Sequence, residues 1–190
     1  DPLADKYPGW SPYNYCLNNP VNLVDPDGRK IVFAQGTSES FKKIFWKTVE
    51  YLKSKDALGP LKDVIENQKY TITLASPNNS NENNIFHPGK NMIIWNPSLA
   101  METSNGKSLS PSTMLVHESD HAKQRNTKTK EYFEAKNEKD KSYDNLEEKR
   151  VIDGSERETA EKLGEINENE NTRTDHEGWY FNVDDPTKNK

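Results

Sequence analysis

The sequence predicts an α+β domain, and three observations lead to it. Short runs rich in β-branched residues, 31–34, 70–74 and 92–95, have the length of strands, and 70–74 alternates apolar and polar. Between and after them, apolar residues recur every three or four positions, the period of a helix with one buried face. The last third is crowded with Lys, Glu, Asp and Asn, which suits solvated helices.

In chain order, Ile31-Val32-Phe33-Ala34 reads as a strand. Thr37 or Ser38 can cap the helix that follows, which runs to about Ser54 and buries Phe41, Ile44, Phe45, Val49 and Leu52. A shorter helix around 61–65 follows Gly59-Pro60, and 70–74 returns as a half-buried strand. The Asn-rich stretch 78–84 is too polar to bury. Ile85-Phe86 and 92–95 flank a Pro88-Gly89 turn and read as a hairpin, with 92–95 as the free edge along which an extended peptide could add. Asn96-Pro97 opens a loop that lasts to Ser110-Pro111. Proline suits the first turn of a helix, so a helix starts there and ends near Asn126, with Met114, Leu115 and Val116 inside. The charge run 127–150 reads as a solvated helix or mobile loop, anchored by Tyr132 and Phe133. A helix at 145–152 should stop at Gly154, and one at 156–163 at Gly164. The tail is polar until Trp179-Tyr180-Phe181, an aromatic cluster suited to docking on the core.

Composition narrows the function. The chain has 190 residues and a formal charge of −5, which argues against nucleic acid as the main partner. No window approaches the roughly 18 apolar residues needed to span a bilayer. The single cysteine, Cys16, excludes an intrachain disulfide and a cysteine-based metal site. The chain opens on Asp1 without a basic region followed by an apolar stretch, the look of a piece cut from something longer.

The chemistry concentrates at 117–121, His-Glu-Ser-Asp-His, in a chain with four histidines. Positions i and i+4 share a helix face, so His117 and His121 can grip one metal ion, and Glu118 can act on a water beside it. A random chain of this composition shows that pentad on the order of one time in a hundred. Zn²⁺ held by two imidazoles needs a third protein ligand and an open position. On the residues alone, His87, His176, Glu147, Glu148, Asp153 and Glu156 are all candidates. His87, beside Pro88-Gly89, reads as a turn residue, and Asp120 as solvent-facing or as a partner tuning His121.

Two resemblances extend this reading. Tyr13, Tyr15, Cys16, Asn18, Asn19 and Pro20, followed by Asp25, Pro26 and Gly28, resemble the end of an RHS-repeat-associated core domain. That resemblance implies a division into 1–29, the end of the shell, and 30–190, a toxin or effector cargo. It also implies a parent RHS shell, a cognate immunity protein, and secreted or cell-surface delivery to a target cell. Trp95-Asn96-Pro97, then Ser110, Pro111, Leu115, His117, Glu118, His121 and Ala122, then Glu147-Glu148-Lys149-Arg150 with Gly154, resemble small effector-type zincin metallopeptidases of the gluzincin kind. This implies a zincin-like fold, Zn²⁺ as cofactor, a protein or peptide substrate and Glu118 as general base. It assigns the third ligand to Glu148, with Glu147 as the alternative. The stretch from Arg173 to Gly178 resembles a recurrent R-x-x-H-x-G ending, which implies a substrate-orienting or oxyanion role for His176. Ser119 departs from the pattern, where an aliphatic residue is usual. The rivals are a non-catalytic surface module and, less favoured by the acidic charge, a nuclease.

Overall fold

A computed structural model describes residues 31–190. The segment 1–29, with its shell-like motif and Cys16, lies outside the described residues.

The domain is α+β. Its main sheet has four strands in the order β1-β2-β4-β3: β1 (Ile31–Phe33), β2 (Ile72–Ala75), β4 (Met92–Ile94) and β3 (Ile85–His87). The first three run parallel and β3 closes the edge antiparallel, with Phe86 opposite Ile93. The expectation that 92–95 forms the edge is therefore corrected. Met92–Ile94 lies between β2 and β3, and its apolar Ile93 and Ile94 are buried as a central strand requires.

Helix α1 (Glu39–Ser54) is capped by Ser38, whose side chain accepts from the Phe41 amide. It packs Phe41, Phe45 and Leu52 against the sheet, where Phe33, Phe45 and Trp95 meet edge to face. Helix α2 (Gly59–Glu66) adds Leu61, Val64 and Ile65 to the same core.

The presumed loop from Asn96 to Ser110 holds two strands instead, β5 (Leu99–Thr103) and β6 (Ser108–Leu109). With β9 (Gly178–Asn182) they form a second antiparallel sheet, ordered β6-β5-β9. The aromatic cluster at 179–181 thus docks as a strand, paired with a segment some eighty residues earlier. Gly178 is needed there, because a Cβ would lie 2.9 Å from the Met101 sulfur.

Helix α3 (Pro111–Thr127) begins where proline and the Ser110 cap predict. Residues Pro111 to Ala122 are all buried, polar ones included, so this helix is enclosed on every side rather than presenting a single apolar stripe. Trp95 Nε1 donates to the Pro111 carbonyl at 2.8 Å and fixes the helix start to the end of β4.

The charge run 127–150 is ordered. It contains α4 (Thr129–Asn137), a small hairpin of β7 (Lys139–Asp140) and β8 (Asp144–Asn145), and α5 (Leu146–Val151). Tyr132 anchors it at 1 % exposure. At Gly154 the backbone leaves the helical angles (φ −104°, ψ −106°), so the helices on either side meet across a kink within Ile152–Glu156, and α6 (Arg157–Leu163) follows, as the glycine predicts. Gly164 does end α6, at φ +74°, the left-handed conformation that glycine adopts without penalty. No helix among the described residues is long and apolar enough to cross a membrane.

Candidate metal centre

Helix α3 supplies His117, Glu118 and His121, and α5 supplies Glu147 and Glu148 from its first turn. Asn145 caps α5 by accepting from the Glu148 amide, which fixes where both carboxylates point. The two neighbours then separate by function. Glu148 Oε2 lies 3.3 Å from His117 Nε2 and 3.2 Å from His121 Nε2, and the two Nε2 atoms are 3.1 Å apart. Glu147 instead approaches the opposite nitrogen of His121, Nδ1, at 3.0 Å.

These separations fit a cation. A tetrahedral ion with bonds of about 2.0–2.2 Å holds its ligands about 3.3–3.6 Å apart, slightly wider than the spacing here. His117, His121 and Glu148 could hold a metal ion, all three offering atoms within 4.8 Å of one another.

The far nitrogens are engaged. Carboxylates only accept, so each Nδ1–H donates: His117 to Glu156 at 2.8 Å and His121 to Glu147 at 3.0 Å. That tautomer turns both Nε2 lone pairs toward Glu148. Glu156 has no solvent exposure, and accepts from Thr172 Oγ1 at 2.6 Å and from Arg173 Nε at 3.0 Å. Glu147 is held by Arg150, whose Nη1 also donates to Asp120 at 3.0 Å. Asp120 is 7 % exposed and accepts from Ser155 at 2.6 Å. Asp120 therefore does not face solvent, correcting that expectation; it reaches His121 through Arg150 and Glu147. Ser119, the departure from the motif, is satisfied by donating to the Leu115 carbonyl.

The electrostatics follow. Burial opposes charging His117, yet hydrogen bonds with Glu148 and Glu156 raise its pKa to about 10. Burial pushes Glu148 upward, but hydrogen bonds with His117, His121 and His176 hold it well below the usual carboxylate range. Burial likewise opposes Glu156, while Arg173 and His117 lower it to about 2. A field that favours a proton between these rings also favours a metal cation there, so the two compete.

Glu118 is buried at 6 % exposure, and its Oε2 accepts from the Phe86 amide of the edge strand β3 at 2.7 Å. It lines a cleft of about 260 Å³ with Phe86, Tyr132, Glu148, His176 and Tyr180. His176 is half-exposed at the rim: its Nδ1 faces Asp144 at 2.7 Å and its Nε2 faces Glu148 at 3.5 Å. The other candidates fall outside the ligand group: Glu156 lies behind His117, Asp153 pairs with Lys149, and His87 ends β3 ahead of a turn. A larger cavity of about 900 Å³ between α1 and α2 lies away from this group.

The sequence reading gives no role to Arg150, Thr172 or Arg173, the groups that hold the outer carboxylates, although Arg150 stands in the quoted Glu147-Glu148-Lys149-Arg150 element. Arg173 stood inside the quoted R-x-x-H-x-G ending, but nothing in spacing pairs it with Glu156. The phenols of Tyr132 and Tyr180 also escaped it, since buried aromatics read as core by default.

No curated protein and no solved structure matches the chain. A family model described as effector protein, Peptidase_M91, matches residues 25–183. The chain belongs to the Peptidase_M91 family of effector proteins.

Proposed function

We propose that this effector is a zinc-dependent endopeptidase with His117, His121 and Glu148 as metal ligands and Glu118 as general base. One observation carries the reading: two imidazole nitrogens and a carboxylate oxygen converge at ligand spacing, with Glu118 beside them in an open cleft. When bound, Zn²⁺ supplies a water acidified toward a pKa of about 7 and polarises the scissile carbonyl.

The chain's own residues do the rest. Glu118 takes a proton from the attacking water and delivers it to the leaving amine nitrogen. The Phe86 amide holds Glu118 Oε2 in position meanwhile. Glu156 and Glu147 keep both rings in the binding tautomer. An extended substrate lies along the open edge of β3, whose Phe86 amide points into the cleft rather than to β4. His176 orients that substrate from the rim; its support is a half-exposed ring fixed by Asp144. Residues 1–29 are the end of an RHS shell, 30–190 the cargo it delivers to a target cell, and an immunity protein protects the producer.

The test is metal analysis with proteolysis. The wild-type chain should bind one zinc and cleave protein, whereas Glu118→Gln should keep the zinc and lose activity. An absence of zinc, or an active Glu118→Gln, overturns the assignment and favours a non-catalytic module.

A further inference from the structure

Hydrolysis of a peptide bond puts negative charge on the carbonyl oxygen as water adds to its carbon, and that oxygen needs a hydrogen-bond donor. The donors around the cleft can be counted. Arg173 spends Nε and Nη2 on Glu156, and its Nη1 rests 3.8 Å from the Met101 sulfur. His176 turns both ring nitrogens to carboxylates. The Phe86 amide is taken by Glu118. Asn84 lines the cleft, accepts from the Asn96 amide through Oδ1, and keeps a buried Nδ2 without a hydrogen-bond partner.

Asn83 and Lys136 also line the cleft, Lys136 with its ammonium 5.9 Å from the Tyr132 ring, and two phenol hydroxyls remain beside them, those of Tyr132 and Tyr180, neither with a hydrogen-bond partner among the described residues. They differ in placement. Tyr132 is locked in the core between Phe86 and Phe133, and its strongest electrostatic neighbour is Glu147, behind His121. Tyr180 stands on β9, opposite Met101, on the wall formed by the second sheet. The residue is 39 % exposed, yet burial raises the pKa of its hydroxyl, and it lines the same cleft as Glu118 and Arg173, the charges that act on it most strongly. The free end of Tyr180 therefore enters the cleft beside the general base, and the free edge of its strand leaves it room to meet a substrate.

We propose that Tyr180 is a catalytic residue whose hydroxyl donates the hydrogen bond that meets the charge developing on the scissile carbonyl oxygen. The inference rests on the peptidase reading above. In the step, the water oxygen bonds to the carbonyl carbon as Glu118 takes its proton, and the carbonyl π pair moves onto oxygen. Tyr180 keeps its own proton throughout. The pair then returns, the C–N bond breaks, and Glu118 protonates the leaving nitrogen.

The experiment uses the full zinc-loaded chain and the best-cleaved member of a fluorescence-quenched random peptide library. Tyr180→Phe should lower kcat about 10²-fold and leave KM within about threefold. Zinc stoichiometry and the thermal midpoint should stay at wild-type values. A loss confined to KM, or unchanged kinetics, overturns the role of Tyr180. Loss in Tyr132→Phe with none in Tyr180→Phe overturns it in favour of the other wall. If the wild-type chain cleaves no peptide, or Glu118→Gln cleaves as well as wild type, the peptidase reading falls and this inference with it.

Discussion

The two imidazoles of the candidate metal centre are held from behind in contrasting ways. His117 leans on Glu156, fully enclosed and gripped by Thr172 and the 3 %-exposed Arg173. His121 leans on Glu147, whose cation Arg150 is one-third exposed and shared with Asp120. Both arrangements fix a tautomer, but only the first is an ion pair cut off from water. A buried pair is costly to break because removing one member strands the other, whereas a solvated cation is largely rehydrated. Two similar buttresses should therefore fail by different routes, one through the fold and one through the metal.

The largest effect should come from Glu156→Ala. Stranding Arg173 costs about 3–5 kcal/mol of folding free energy, which denaturant titration of the full chain will show. Equal destabilisation by Glu147→Ala would erase the contrast. Next, Glu147→Gln should fold normally but weaken zinc binding about 10- to 100-fold by competition with a chelator, since the His121 ring loses its strong acceptor. Unchanged affinity would mean that Glu147 does not orient the ring. Arg150→Ala should cost about 1–3 kcal/mol, because water replaces much of its guanidinium while the buried Glu147 and Asp120 lose their shared cation.

The smallest effect concerns Glu165, which accepts from the Ser110 amide and Thr113 at the head of α3. Burial, with some repulsion from Glu156, raises its pKa to about 7. A raised folded pKa means that this carboxyl stabilises the fold fully below its ordinary value and loses that contribution as pH rises through about 7. The wild-type thermal midpoint should thus decline from about pH 5 to about pH 8 more steeply than that of Glu165→Gln. Parallel curves would show that Glu165 is hydrated and uncoupled from Glu156.

Much of this was legible in the sequence, for reasons specific to each part. The start of α3 at Pro111, its ligands and the end of α6 at Gly164 are written in local chemistry: a cap, a proline, a spacing of four, a left-handed glycine. The choice between Glu147 and Glu148 was not, because neighbours on a helix point about 100° apart and only the Asn145 cap sets the phase. Strands β5 and β6 were invisible because β5 takes its identity from pairing with β9, a contact that no local pattern encodes. The edge was misassigned since an apolar run shows that a strand is buried, not which neighbours flank it. Gly154 was legible because a glycine inside a helical pattern marks a break, and the backbone there does leave helical angles.

The groups that neutralise Glu156 arrive late in the chain. When α3 and α6 have left the ribosome, Thr172 and Arg173 are still to come, and so is the strand that carries Tyr180. A nascent chain therefore exposes His117 and His121 before it can shelter the carboxylate behind His117. The shelter of Glu156 and the strand of Tyr180 complete the centre only when residues 172–182 have emerged and β9 has paired with β5.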